Sequence, residues 1–155
     1  MKKLPYEEGT WFAVPLEQGG FATGIVARMA PKGKLLFGYF FGPLLPSIPT
    51  LADLIAIEPK SAIWISHFGD LGIYKKTWSI IGKSANWQRK EWTMPAFYRV
   101  DPIYGKIKYK IIYDDADPSR VVEEIRLPET AEVGLPDGLA GARFVEARLS
   151  MLLAN

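Results

Sequence analysis

Two apolar runs meet at a glycine pair near the start of the chain, and no other feature restricts the fold as much. Gly9-Thr10-Trp11-Phe12-Ala13-Val14-Pro15-Leu16 leads into Glu17-Gln18-Gly19-Gly20, and Phe21-Ala22-Thr23-Gly24-Ile25-Val26-Ala27-Arg28 follows. Aromatic and β-branched residues suit a pleated, half-buried surface. Gly-Gly accepts φ > 0 at little steric cost, which a tight hairpin turn demands. The segment therefore reads as two antiparallel strands and sets the fold class as mainly β. Pro15 cannot donate to a ladder, so it marks an edge or the end of the first strand.

Further strands are expected downstream. Pro31-Lys32-Gly33-Lys34 has turn chemistry. Leu35-Leu36-Phe37-Gly38-Tyr39-Phe40-Phe41 is nearly continuous in apolar residues, as in a strand covered on both faces, with Gly38 marking a bulge or bend. Thr50 with Asp53 three residues on predicts a short helix near 51–57, stopped by Glu58-Pro59. Residues 61–68 read as a strand, 71–75 as its possible continuation after a turn, and 78–82 as another short extended piece. Residues 83–92 form a polar loop or single helical turn carrying Trp87 and Trp92. A second hairpin is expected from 94–100 and 106–113, where Lys106, Lys108 and Lys110 alternate with Ile107, Tyr109 and Ile111. Residues 121–127 add a short strand and 128–138 a loop. Ala142, Val145, Leu149 and Leu152 then recur at helical spacing, with Arg143, Glu146 and Ser150 opposite, which predicts a helix near 140–153. The expected architecture is a curved antiparallel sheet or an SH3-like, partly open barrel. The 155 residues suit a single domain, with a β-rich core over 9–127 and the C-terminal helix against it.

Composition removes several classes of function. Without cysteine there is no disulfide framework, thiolate zinc site or cysteine nucleophile. The first eight residues hold two lysines and no following apolar run, unlike a signal peptide. The longest apolar-rich stretch, 35–48, is broken by Gly38, Gly42, Pro43 and Pro46 and is too short for a membrane span. A cytoplasmic protein is expected. Net charge is only +2, which disfavours general nucleic-acid binding. The charge is unevenly placed, however. Residues 1–113 carry 15 Lys+Arg against 8 Asp+Glu, and residues 114–155 carry 4 against 9.

Candidate chemistry fails on geometry. His67 is the one histidine, and a triad with Ser66 and Asp70 would need strand neighbours to point the same way, which they do not. His67 therefore reads as a structural residue. Asp114, Asp115 and Asp117 resemble the start of a calcium loop, but neither counting frame supplies the Gly and Glu that an EF-hand needs. No metal or cofactor is expected, and no phosphate loop is present. Glu123 and Glu124 are adjacent and diverge on a strand, unlike a hydrolase carboxylate pair.

What remains is binding. Lys106, Lys108 and Lys110, with Arg99, Tyr98, Tyr104 and Tyr109 nearby, form a basic hairpin face able to meet nucleic acid or a peptide, although with so small a net charge a solvated sheet face whose lysines discourage edge pairing is the preferred reading. Trp87, in a polar loop, is a candidate partner anchor. Asp114, Asp115, Asp117, Glu123 and Glu124 form the acidic cluster of the C-terminal third.

An ordered series of landmarks adds to this reading: the first hairpin with Gly19-Gly20, then Gly38-Tyr39-Phe40-Phe41-Gly42-Pro43, Phe68-Gly69-Asp70-Leu71-Gly72, Asn86-Trp87 with Trp92-Thr93-Met94-Pro95, and Tyr113-Asp114-Asp115. Over roughly residues 5–127 the chain resembles the immunity protein 26 family of bacterial polymorphic toxin systems. The resemblance implies a cytoplasmic, non-catalytic antitoxin that binds and neutralises a cognate toxin domain, nucleases being among the candidates. It carries no catalytic residues and leaves the oligomeric state open. Charge complementarity makes Asp114, Asp115, Asp117, Glu123 and Glu124, with Trp87, the expected contact residues. A small β module using the basic hairpin 98–113 is the alternative.

Overall fold

The computed structural model describes residues 3–154. In chain order it contains β1 (Thr10–Pro15), β2 (Phe21–Met29), β3 (Leu35–Leu45), α1 (Leu51–Leu54), β4 (Trp64–Gly69), α2 (Leu71–Tyr74), β5 (Ser79–Lys83), β6 (Phe97–Val100), β7 (Lys108–Asp114), β8 (Asp117–Leu127), β9 (Leu139–Ala140) and α3 (Ala142–Leu152). Single 3-10 turns lie at Pro59–Ser61 and Arg89–Glu91. The strands form a six-stranded sheet, ordered β5-β1-β2-β3-β4-β9, and a three-stranded sheet, ordered β6-β7-β8. Among the described strands only β9 runs parallel to its neighbour. The mainly β, curved-sheet expectation holds, and the sheets do not close into a barrel.

The first hairpin forms as read from the sequence. Gly19 and Gly20 take φ of 92° and 77°, and Pro15 pairs with Phe21 across the loop. Both faces of the large sheet are buried, so the strands alternate between two apolar clusters. One face sends Phe12, Val14, Val26, Leu36, Phe40 and Phe68 against Trp78, Ile73 of α2, and Val145 and Leu149 of α3. The other sends Trp11, Ile25, Ala27, Phe37, Tyr39 and Phe41 against Leu54 of α1, Trp92, and Phe97 of the small sheet. Rings dominate the first cluster: Phe12 stacks on Trp78 at 5.6 Å, and Phe68 lies 5.7 Å from Phe12 and 5.1 Å from Phe40. Gly38 makes room for them, since a Cβ there would come within 2.8 Å of the Phe68 ring. The bulge expected near Gly38 lies on the neighbouring strand. Val26 pairs with Gly38, but Arg28 pairs with Phe37, so the register slips at Ala27.

Five expectations need correction. Residues 71–75 do not continue a strand. Asp70 and Leu71 carbonyls accept from the amides of Tyr74 and Lys75 to close α2. The segment is too short for its pattern to distinguish helix from strand, and burial of Ile73 beside Trp78 decides the matter. The strand read at 61–68 starts at Trp64, because Pro59 opens a 3-10 turn first. The strand read at 121–127 begins earlier, at Asp117. On α3, Leu152 is 40% exposed while Ser150 is buried. Ser150 Oγ accepts from the Glu17 amide at 2.9 Å, and its carbonyl accepts from Gln18 Nε2 at 2.9 Å, so it pins the helix to the first hairpin loop. The helix near 51–57 is shorter than expected, ending at Leu54.

Candidate partner-binding surface

The acidic cluster sits on the β7–β8 hairpin, whose connecting turn is Asp115-Ala116. Asp114 accepts from the Ala116 amide at 2.9 Å and from Arg120 Nε at 3.1 Å, and the Ala116 bond, then Arg120, hold its carboxyl below the ordinary carboxylate range. Asp117 accepts from the Ser119 amide at 3.0 Å. These are local contacts that tighten the turn without hiding it.

Asp115 is different, because it stays exposed yet bonds to arginines on two other segments. Its carboxylate meets Arg28 Nε at 2.8 Å and also pairs with Arg89. The bulge at Ala27 explains how Arg28 gets there. Because two residues of β2 share one register step, Ala27 and Arg28 both point toward the small sheet. The Arg28 side chain is only 4% exposed against 60% for Asp115. It also donates to the carbonyls of Ala27 at 2.6 Å and Trp92 at 3.0 Å. Arg89 in turn meets Glu8 at 2.9 Å. Burial pushes the Asp115 carboxyl up, but the two guanidiniums outweigh it and hold it below the ordinary range. This network ties β2, the 84–92 loop and the acidic turn together. The one sequence signal for it is an arginine at the end of an otherwise apolar strand.

Trp87 belongs to the same region. Its ring stacks on Trp92 at 5.8 Å and 27°, and it covers Gly9, where a Cβ would come within 3.0 Å of it. It is half-buried against the second cluster. Trp87 and Asp115 thus lie on segments joined through Arg89.

Farther along β8, Glu123 pairs with Ile112 and Glu124 with Ile111, so the two glutamates point to opposite faces, as read from the sequence. Both are exposed, and Glu124 meets Arg99 at 3.3 Å. β8 is the outer strand of the small sheet, and Val121 and Val122 are exposed beside the glutamates. The lysines of the basic hairpin are partly engaged. Lys108 donates to the carbonyls of Glu129 at 2.7 Å and Ala131 at 2.9 Å, and Lys106 lies 3.9 Å from Glu129.

His67 lies between the two sheets, ringed by Tyr113 at 4.3 Å, Phe97 at 4.8 Å and Phe37 at 5.5 Å. Neither ring nitrogen has a hydrogen-bond partner, and burial pulls its pKa down to about 4, against smaller upward pulls from Asp137 and the Pro118 carbonyl. The carbonyl faces the ring without reaching hydrogen-bond geometry. The Ser66 hydroxyl donates to the His67 carbonyl, and Asp70 accepts from Tyr6 at 2.8 Å, so the three do not converge as a triad. Among the described residues no group of three or more His, Asp or Glu is placed to hold a metal ion.

A two-sheet scaffold with a charged β7–β8 hairpin at the edge of its small sheet defines a mainly β protein. The family model for immunity protein 26 matches residues 7–108, and the chain belongs to that family. No curated protein matches the chain, and no solved structure matches it. No helix among the described residues is long and apolar enough to cross a membrane.

Proposed function

We propose that this protein is a cytoplasmic bacterial immunity protein that binds a cognate toxin domain and blocks it by occupying its working surface, without catalysis of its own. The observation that carries this reading is the family match across residues 7–108. The acidic hairpin supports it as the contact surface. Asp115, Glu123 and Glu124 are exposed on the strand pair with Asp114 and Asp117 part-buried beside them, and Asp115, through Arg28 and Arg89, and Trp87, through Trp92, tie the hairpin and its neighbouring loop in place. A carboxylate-rich strand edge complements the basic, phosphate-binding cleft of a nuclease, steering association and fixing register.

The test is co-expression with the toxin domain encoded beside this gene. Rescue of growth together with a stable complex is expected, and a toxin that remains lethal with no complex overturns the proposal. Within the complex, the triple variant Asp117→Lys, Glu123→Lys, Glu124→Lys is expected to lower the association rate by about tenfold or more at low salt, with the gap closing as salt rises. An unchanged rate removes the hairpin from the interface and leaves the family reading intact.

A further inference from the structure

The outer edge of the large sheet is only half covered. β9 pairs with β4 at His67 and Phe68 alone, so among the described residues Trp64, Ile65 and Ser66 have no strand on that side. The segment leading into β9 has turned away to the small sheet. The Tyr98 amide donates to the Leu135 carbonyl at 2.8 Å, and the Asp137 amide to the Tyr98 carbonyl at 2.8 Å. Two strand-like segments therefore meet at His67–Leu139 and splay apart before it. The wedge between them opens onto α3 as a groove of about 540 Å³, in the size range of ligand clefts.

The walls are apolar and exposed. Ile63 is 37% exposed, Phe144 58% and Leu139 62%, and Phe144 lies 6.3 Å from the Trp64 ring. Phe144 and Arg148 follow each other at helical i, i+4 spacing, so they share one face of α3. Arg148 lines the groove and has no ion-pair partner among the described residues. The acid on the opposite wall, Asp137, is already taken by Tyr113 and, at 3.8 Å, by Arg99. The groove thus combines an open strand edge, an apolar cradle and one unmatched positive charge.

We propose that this groove binds an extended segment of a partner protein that adds a strand along Trp64–Ser66, seats an apolar side chain between Trp64 and Phe144, and sets a carboxylate on Arg148. An extended chain fits because strands pack about 4.8 Å apart, whereas a helix about 10 Å across does not reach a strand edge inside a tapering wedge. An acidic segment fits because a guanidinium left without a partner beside apolar surface gains a charge-assisted, bidentate contact. The groove is built partly by residues 135–148, outside the 7–108 family match, and its assignment does not depend on the toxin reading.

The probe is a short capped peptide alternating valine and threonine, with a central leucine and one aspartate, titrated into the isotope-labelled full chain. Amide shifts confined to the groove, at Trp64–Ser66 and along Phe144–Arg148, with a shift of the Trp64 indole, are expected. The same peptide with lysine for aspartate is expected to bind about tenfold more weakly, and Arg148→Glu to invert that preference. Phe144→Lys, at an exposed position, abolishes binding with the melting temperature unchanged. Shifts elsewhere, indifference to the sign of the peptide charge, or no shifts at millimolar peptide overturn the proposal. So does a wild-type dimer that Phe144→Lys dissociates, because a second copy of the chain is then the occupant.

Discussion

Arg28 shows how one backbone irregularity can place one charge. A regular β2 would have pointed Arg28 to the face opposite Ala27. The slipped register against β3 instead aims both toward the small sheet, where the guanidinium satisfies two carbonyls and the Asp115 carboxylate. Removing Arg28 leaves the buried Ala27 and Trp92 carbonyls desolvated without their donor, while the exposed Asp115 carboxylate stays hydrated. Arg28→Met is therefore expected to lower unfolding free energy by about 3 kcal/mol, read from urea denaturation. Asp115→Asn should cost less, about 1–2 kcal/mol, because that side is exposed and Arg28 keeps its carbonyls. Equal effects from the two would contradict the inward role given to Arg28. Nothing in the local sequence announces the bulge. Gly38 hinted at an irregularity, but the extra residue sits across the ladder, and its consequence depends on a hairpin nearly ninety residues away.

At the level of elements, the contrast between β3 and α2 is instructive. β3 was legible because its aromatic run carries its own signal of double-sided burial. α2 was not, because Leu-Gly-Ile-Tyr offers a single turn, and its helical state is enforced by packing on Trp78. Gly72 is the point of closest approach: a Cβ there would fall 2.4 Å from the Trp78 ring. That contact is with the body of a fully buried indole, which stacks on Phe12 and donates to Glu146 at 2.8 Å, so the ring has nowhere to move. Gly72→Ala is expected to destabilise by about 2–3 kcal/mol, against the helix-propensity gain that Ala would bring on a free surface. A neutral result, measured by thermal melting, would mean α2 can shift off the sheet. The C-terminal helix divides along the same line. Its Val145–Leu149 stripe was readable from spacing, but the burial of Ser150 was not, since it depends on the backbone of Glu17 and Gln18.

For the molecule as a whole, the unread feature was the second sheet closing over the first. The strands β6, β7 and β8 could be recognised singly, but docking them onto Phe37 and His67 is a long-range event that periodicity does not encode. His67 reports on that docking. Because burial depresses its pKa from 6.5 to about 4, the unfolded chain binds a proton in this window and the folded one does not. Its contribution to stability is complete above pH 6.5 and is lost as pH falls toward 4, at up to about 1.4 kcal/mol per pH unit. Lowered carboxylates such as Asp114 and Asp115 act with the same sign, so the comparison of interest is with a variant. His67→Leu is expected to flatten the urea-midpoint profile between pH 6.5 and 4, and an unchanged profile would show that the imidazole titrates freely. Of the proposed contact surface, the outward carboxylates were legible from charge run and strand pattern. The cross-segment role of Asp115 was not, because it depends on Arg28 and Arg89 converging from two other segments, nor was the stacking of Trp87 on Trp92.

The segment from Leu135 to Ala140 carries a last implication. It is hydrogen-bonded to β6 through Leu135 and Asp137 and to β4 through Leu139 and Ala140, with Gly138 alone between the two attachments. One residue spans less than about 4 Å. The link has no slack to absorb relative movement, so neither sheet edge can fray by itself. Opening at Tyr98 is therefore expected to pull on Phe68, so that amide exchange at the two sites rises together.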